Sequence, residues 1–141
     1  MTMLSELQFT EARNHFSTLY DSVFNFFNPT IIKRKQTEQV ALLRVDLLKM
    51  VLEGYKLNPE IIQEDDDSIT LALDFLEMYS NNSTLDLAAS DLVEDLKLYS
   101  QDYMNRSQLF LQASNRKSHF PYVLKVLLCD NDEEIRALLG L

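Results

Sequence analysis

The sequence predicts an α+β fold with two small domains, and three observations carry this prediction. Short runs rich in β-branched and aliphatic residues alternate with longer stretches whose apolar residues recur every three or four positions. Gly54 and Pro59 interrupt the pattern between two such groups of elements. The charge balance changes at the same place: residues 1–57 hold seven Lys and Arg against six Asp and Glu, whereas residues 58–141 hold six against sixteen. We therefore expect one domain over residues 1–57 and a second, acidic domain over residues 58–141.

The first domain is predicted to begin with a strand over about residues 4–8, followed by an amphipathic helix. Thr10 can act as the N-cap of this helix, because a threonine hydroxyl accepts a hydrogen bond from a free amide of the first turn. Glu11 then lies where the helix dipole favours an acidic side chain. We expect a break near the middle of the helix. Its apolar face is formed by Ala12, Phe16, Leu19, Val23 and Phe27.

Two short strands are expected to cover that helical face. They span Thr30 to Arg34 and Gln39 to Arg44, and the polar residues 35–38 between them predict a hairpin. Asp46 is a suitable N-cap for a last helix over residues 47–53, which Gly54 would end.

This order of strand, helix, hairpin and helix resembles the N-terminal domain of the Phd/YefM family of antitoxins. The resemblance covers about the first 55 residues. It rests on Thr10-Glu11-Ala12-Arg13, Pro29, Ile31-Ile32-Lys33-Arg34 and Val40-Ala41-Leu42-Leu43.

The resemblance implies a cytoplasmic antitoxin whose N-terminal domains dimerise through their sheets and bind the operator of their own operon. It assigns DNA contacts to Arg13 and Arg34, and we add the neighbouring Thr10, Lys33 and Lys35 to the predicted DNA-binding set. The chain departs from the family pattern at two positions. Thr37 stands where the hairpin turn usually holds glycine, and Arg44 replaces a small polar residue after the third strand.

The second domain is predicted to consist of three strands and a long helix. The strands span residues 60–64, 68–73 and 75–79, with turns at residues 65–67 and 81–83. Ser83 or Thr84 then caps a helix that runs to about Asn105. Its apolar face contains Leu85, Ala88, Ala89, Leu92, Leu96, Tyr99 and Tyr103, as expected for packing on a sheet.

This ββ(β)α unit resembles the HicB-type antitoxin domain. The resemblance rests on Glu64-Asp65-Asp66-Asp67-Ser68, Leu71-Ala72-Leu73, Ser83-Thr84-Leu85 and Val93-Glu94-Asp95-Leu96. Asp67 stands where that family usually has a glycine. The resemblance implies a folded antitoxin body that contacts a toxin and is not a nuclease.

The C-terminal segment is predicted to form two short amphipathic helices after a polar hinge at residues 115–121. Pro121 suits the first position of one helix, Asp130 can cap the other, and Gly140 follows its end. Such helices either cover their own domain as a lid or grip a toxin. For the second alternative the predicted toxin-binding residues are Tyr122, Leu124, Leu127, Leu128, Ile135 and Leu138.

No cofactor or metal site is predicted, and the chain is not expected to be an enzyme. The single Cys129 excludes an intramolecular disulfide, and neither His15 nor His119 lies in a catalytic or zinc motif. Asp65 to Asp67 are consecutive, so they lack the alternating spacing of a calcium loop and favour a solvated turn. The sequence lacks a secretion signal at its start and a long apolar segment, which predicts a cytoplasmic protein without a membrane span.

Together these features predict an antitoxin that binds and masks a basic toxin and represses its own operon as a homodimer or higher homo-oligomer. The acidic second domain suits a basic protein partner, and the near-neutral first domain can still engage operator DNA. Two alternatives remain open at this point. One is an interaction module of the same fold that does not bind DNA, and the other is a metal-dependent nuclease that uses Glu64 and the acidic turn.

Overall fold

The fold is mixed α+β, and the computed structural model of the protein describes residues 3–141. The first two residues of the predicted first domain lie outside this range. The chain divides into a first unit that ends at Val51 and a second unit, Leu52–Leu141. The change of charge along the sequence predicts a boundary after residue 57. In the structure Leu57 is only 1% exposed and belongs to the core of the second unit, which draws the preceding segment into that unit.

The first unit contains a three-stranded sheet and three helices among its described residues. Strand β1 runs parallel to β2, and β2 is antiparallel to β3, so that β2 lies in the centre. The predicted break in the first helix is confirmed at His15, where the backbone leaves the helical region. The elements are β1 (Ser5–Gln8), α1 (Phe9–Asn14), α2 (Phe16–Asn25), β2 (Thr30–Arg34), β3 (Glu38–Leu42) and α3 (Val45–Val51).

The core of this unit is small. Ala12, Leu19 and Val23 are buried, and Leu7, Ile32 and Leu42 of the three strands pack against them. Two members of the predicted apolar stripe, Phe16 and Phe27, are exposed instead. Phe16 is the first residue of α2 and Phe27 follows its end at Asn25, so both flank the part of the helix that packs on the sheet through Leu19 and Val23.

Two predicted helix caps of the first unit were wrong. Helix α1 begins at Phe9, directly after β1, and its N-cap position is Gln8 without a side-chain cap. Thr10 therefore lies inside the first turn. Helix α3 begins at Val45, so Asp46 lies in its first turn, although its carboxylate still accepts a hydrogen bond from the Leu47 amide at 3.1 Å.

The second unit consists of an antiparallel three-stranded sheet and four helices among the described residues. The order of strands in the sheet is β4, β5, β6. One face packs on the long helix α4, and this contact forms the larger of the two buried cores. The elements are β4 (Glu60–Gln63), β5 (Ile69–Leu73), β6 (Met78–Asn82), α4 (Leu85–Asn105), α5 (Ser107–Gln112), α6 (Phe120–Leu127) and α7 (Asp132–Leu138).

The third strand of this sheet starts later than predicted. Asp74–Leu76 forms a 3-10 turn that ends at Glu77, whose φ of 54° lies in the left-handed region. Strand β6 therefore includes Asn81 and Asn82, which the sequence had placed in a turn. The predicted cap Thr84 is confirmed, because its hydroxyl accepts a hydrogen bond from the Leu87 amide at 3.2 Å.

Both C-terminal helices pack against α4 within their own unit. Val126 of α6 and Ile135 of α7 are buried in the core that α4 shares with the sheet. The arrangement corresponds to the lid alternative. The cap of α7 is Asn131 and not the predicted Asp130, since the Asn131 side chain accepts the Glu134 amide hydrogen bond at 2.9 Å. Helix α5 was not predicted.

Within residues 3–141, no helix is long and apolar enough to cross a membrane.

Candidate functional site

The basic run Lys33-Arg34-Lys35 does not form one patch, because side chains alternate between the two faces of a strand. Lys33 lies on the face without helices, where its Nζ is 3.2 Å from a carboxylate oxygen of Glu6 on β1. Arg34 shares its face with Ile32, which packs under the helices. Two adjacent predicted DNA-binding residues thus point to opposite sides of the sheet.

Arg34 lies beside Phe9, with its guanidinium carbon 5.1 Å from the centre of the ring. The parallel register explains this contact. Gln8 pairs with Lys33, so the residues that follow them in the chain, Phe9 and Arg34, are also adjacent. Arg13 follows Phe9 by four residues on α1, which puts the two side chains on the same helical face. Arg13 and Arg34 are both exposed.

The two remaining predicted DNA contacts lie at the margin of this region. Lys35 begins the hairpin turn, and its Nζ is 4.0 Å from a carboxylate oxygen of Glu38. Both side chains are well exposed, so this ion pair leaves the lysine available to a stronger acceptor. Thr10 is exposed in the first turn of α1.

The local sequence does not mark Phe9 as a functional residue. As an apolar residue next to a predicted strand it is indistinguishable from a core position. Only the pairing of β1 with β2 indicates that it meets a basic side chain, and Phe9 keeps 42% of its surface exposed.

A second feature of the first unit is the exposed aromatic face of α2 and the loop after it. Tyr20 and Phe24 are nearly parallel, with ring centres 6.0 Å apart, and they line a groove of about 380 Å³ beside Leu42 and Val45. Phe16 and Phe27 are also exposed, by 53% each. We refer to Phe16, Tyr20, Phe24 and Phe27 as the α2 aromatic face.

Arg44 organises one end of this face. Its guanidinium carbon lies 4.3 Å from the ring centre of Phe24 and 4.0 Å from that of Phe27. Its Nη1 donates to the Phe24 carbonyl oxygen at 2.8 Å, and its Nε donates to Asp46 at 2.9 Å. These contacts fix the chain after α2, where Phe27 has a φ of 52°, an unfavourable value for an aromatic residue. Arg44 is therefore held by its own unit.

The predicted toxin-binding residues occupy unequal positions in the second unit. Ile135 is 5% exposed and lies in the core, and Leu138 packs against the same core. Leu124 and Leu128 are half-buried, whereas Leu127 is exposed.

Tyr122, the remaining member of that set, belongs to a cluster of three aromatic rings. Its ring centre lies 5.5 Å from that of Tyr55 and 4.4 Å from that of Phe75. Lys125 lies beside the cluster and donates a hydrogen bond to the Tyr55 carbonyl oxygen at 2.9 Å. Burial, and then the nearby Lys56, lowers the pKa of Lys125.

The outward face of α4 is strongly acidic. The pKa of Asp95 is raised by partial burial and then by the carboxylates of Asp91 and Glu94. Lys97 relieves part of the repulsion between these carboxylates. Its Nζ lies 3.1 Å from a carboxylate oxygen of Glu94 and 3.0 Å from a carboxylate oxygen of Asp132. The remaining carboxylates form a surface that a cationic partner would stabilise.

The acidic turn before β5 has a structural role. The carboxylate of Asp66 accepts hydrogen bonds from the backbone amide and the hydroxyl of Ser68, which lower its pKa. Asp67 occupies the left-handed region with a φ of 67°, the position at which a glycine was expected. Across residues 3–141, no group of three or more His, Cys, Asp or Glu is placed to hold a metal ion.

Comparisons with known proteins place the chain in a family. Residues 3–141 match the PHD-like family, described as antitoxin of toxin-antitoxin, RelE/RelB, TA system. The chain is also similar to a crystal structure at 1.80 Å resolution from Syntrophomonas wolfei subsp. wolfei, described as the antitoxin part of a proposed toxin/antitoxin system. The two share 33% sequence identity over 96% of each chain, with a TM-score of 0.86. No curated protein matches the chain.

The family match covers nearly the whole chain, and the similar structure extends through both units. An antitoxin has a cognate toxin as its partner. Because antitoxins of this family are regulatory proteins and not enzymes, the chain is not a metal-dependent nuclease. The chain belongs to the PHD-like family of antitoxins and is a regulatory, non-enzymatic protein of a toxin-antitoxin system.

Proposed function

We propose that this antitoxin neutralises its toxin by direct binding and represses its own operon by binding operator DNA as a cytoplasmic homodimer or higher homo-oligomer. In this proposal the first unit is a Phd/YefM-like DNA-binding and dimerisation domain, and the second is a HicB-like toxin-binding domain. The observation that carries the DNA-binding half is the pair of exposed arginines: Arg34 lies against Phe9, and Arg13 is on the same face of α1 as Phe9.

Two arginines on one side of a small domain suit phosphate recognition. A guanidinium group offers a planar set of donors and remains charged at every physiological pH. Phosphate contacts would supply most of the affinity, and a few base contacts would supply the specificity. In a dimer the pair occurs twice, so that each copy can meet one half-site of the operator.

The α2 aromatic face supports self-association. A unit of about fifty residues buries too small a core to be very stable by itself, and here three fully buried apolar side chains form its centre. Covering the exposed rings with a second copy would add the missing apolar burial.

Sedimentation equilibrium tests the dimer. Tyr20→Lys places a charge on the α2 aromatic face and should shift the protein towards monomer. Leu98→Lys is the matched control, since Leu98 is similarly exposed but lies on α4 of the second unit. Equal association of both variants and the parent protein would contradict this use of the aromatic face.

The acidic α4 face and the overall charge of residues 58–141 support binding of a basic toxin. Complementary charge accelerates the encounter and makes its rate depend on salt. Of the predicted toxin-binding residues, Leu127 is the exposed one, whereas Ile135 would have to leave the core before it could contact a partner.

The decisive experiment for repression compares two variants with the same change of charge. Arg34→Gln and Lys33→Gln each remove one positive charge from adjacent residues that lie on opposite faces of the sheet. Binding is measured to DNA from upstream of the protein's own gene at two salt concentrations. We expect Arg34→Gln to weaken binding by about tenfold, which corresponds to ~1.4 kcal/mol, and Lys33→Gln to have a much smaller effect.

Equal losses in the two variants would show that net charge, and not the Arg13–Arg34 pair, determines affinity. If the folded, dimeric protein formed no DNA complex at low salt, repression would be excluded. The alternative of an interaction module that binds only the toxin would then describe the function.

A further inference from the structure

Phe9 contacts a neighbouring basic side chain and does not belong to the core of the first unit. It begins α1, keeps 42% of its surface exposed, and is absent from the buried cluster of Ala12, Leu19 and Val23. Its ring instead lies 5.1 Å from the guanidinium carbon of Arg34. A cation within about 6 Å of an aromatic ring centre is attracted by the electron density of the ring face.

This contact restricts a side chain that would otherwise be mobile. Arg34 is the last residue of β2, and the turn that follows is exposed. An arginine there loses rotational freedom when it binds a phosphate, and that loss weakens the complex. If the ring already holds the guanidinium, part of the ordering has occurred before DNA arrives.

The same ring also defines the position of Arg34 relative to Arg13. Phe9 is fixed to β2 by the parallel strand register and to Arg13 by the four-residue spacing on α1. An arginine held against this ring therefore remains on the side of the sheet that carries the helices.

We infer that Phe9 is a positioning residue that holds the Arg34 guanidinium beside Arg13, so that the two arginines engage one stretch of nucleic-acid backbone together. This inference rests on the proposed DNA binding. It assigns to Phe9 the task of ordering Arg34 and gives it no contact with DNA of its own.

The test uses two substitutions that separate the ring from its apolar volume. Phe9→Leu keeps a large apolar side chain but removes the aromatic face, whereas Phe9→Tyr retains the face. In the free full-length protein, the NMR signal of the Arg34 Nε–H group should show a ring-current shift and restricted motion. Both should persist in Phe9→Tyr and be lost in Phe9→Leu. An unchanged Arg34 signal in Phe9→Leu would overturn the inference without reference to DNA.

The second measurement is affinity for DNA from upstream of the protein's own gene. Phe9→Leu should weaken binding about three- to fivefold, as expected for one exposed cation–π contact. Phe9→Tyr should bind the DNA as tightly as the parent protein does. In an Arg34→Gln background, Phe9→Leu should cause no further loss. A further loss of the same size would mean that Phe9 acts independently of Arg34 and would overturn the inference.

The two proposals fail in different ways. If the parent protein does not bind the DNA, the proposed repression fails and the inference fails with it. If the parent protein binds and Phe9→Leu binds equally well, only the inference about Phe9 is overturned.

Discussion

Two buried serines of the second unit have opposite surroundings. The Ser80 hydroxyl donates a hydrogen bond to the Ala88 carbonyl oxygen at 2.8 Å and thereby ties β6 to α4. The Ser100 hydroxyl is buried in α4, and no hydrogen-bond partner is found for it among the described residues. A buried polar group without a partner is destabilising, whereas a satisfied one contributes modestly to stability.

We therefore expect Ser100→Ala and Ser80→Ala to change the free energy of unfolding in opposite directions. Ser100→Ala removes an unsatisfied hydroxyl and improves helix propensity, so it should raise stability by about 1 kcal/mol. Ser80→Ala should lower stability by a similar amount, ~1 kcal/mol. Urea unfolding of the two variants checks both values. A loss of stability in Ser100→Ala would indicate that this hydroxyl has a partner.

His119 predicts a loss of stability in mild acid. It is 5% exposed, its Nδ1 lies 2.6 Å from the Tyr99 hydroxyl oxygen, and its ring also hydrogen-bonds the Phe75 backbone. Burial, and then the charge of Arg116, lowers its pKa below the usual 6.5. Below pH 6.5 the unfolded chain therefore binds a proton that the folded chain resists. The contribution to stability is complete above that pH and declines as the pH falls towards the lowered pKa.

Urea unfolding at about pH 8 and about pH 5.5 measures this effect, because the two conditions bracket the ordinary titration of histidine. His119→Gln removes the titrating group while retaining a polar side chain, so the variant should lose less stability between the two conditions than the parent protein does. An identical loss in both proteins would exclude His119 as the source.

At the scale of elements, the hairpin between β2 and β3 contains a conformation that the sequence did not locate. Comparison with the Phd/YefM pattern suggested that Thr37 occupies the place of a glycine. In the structure the left-handed residues are Lys35 and Gln36, with φ values of 54° and 63°. Glycine adopts such values without the steric conflict that other residues encounter.

Gln36→Gly should therefore be tolerated or stabilising by about 0.5 kcal/mol, because relief of strain slightly exceeds the added freedom of the unfolded chain. Thr37→Gly should be destabilising by about 0.5–1 kcal/mol, since it adds freedom to the unfolded chain without relieving a left-handed residue. Thermal unfolding of the two variants provides the comparison. The reverse ranking would place the strained residue at position 37.

At the scale of the whole molecule, the net charge of −9 opposes folding through repulsion among like charges. The α4 face shows this most clearly, since Asp91 and Glu94 both raise the pKa of Asp95. At 0.1 M ionic strength, salt largely screens the repulsion between exposed charges that are more than about 10 Å apart. We therefore expect the unfolding temperature to rise when moderate salt is added.

Asp95→Asn tests the origin of this salt effect. Removing one of the crowded carboxylates should raise stability in low salt near neutral pH, and the benefit of added salt should become smaller. Asp65→Asn is a control with the same change of charge in an exposed turn of the same unit. Equal effects of the two substitutions would attribute the salt dependence to net charge alone.

The sequence alone is enough to predict the α+β class, the order of strand, helix, hairpin and helix in the first unit, and a cap of α4 at Ser83 or Thr84. These features depend on local spacing and on side chains close in sequence, such as the hydroxyl of Thr84 and the amide of Leu87. The two resemblances to antitoxins led to the same broad function that the family match shows. The break in the first helix was also predictable, whereas the exposure of Phe16 at the start of α2 was not.

Which basic residues share a surface depends on the tertiary structure. The run Lys33-Arg34-Lys35 is continuous in sequence, but strand alternation turns Lys33 towards Glu6, and the parallel register places Arg34 against Phe9. Likewise, only the packing of α6 and α7 on α4 shows that Ile135 is a core residue. The physical reason is the same in each case: contacts between residues distant in sequence depend on strand register and helix packing, which local periodicity does not specify.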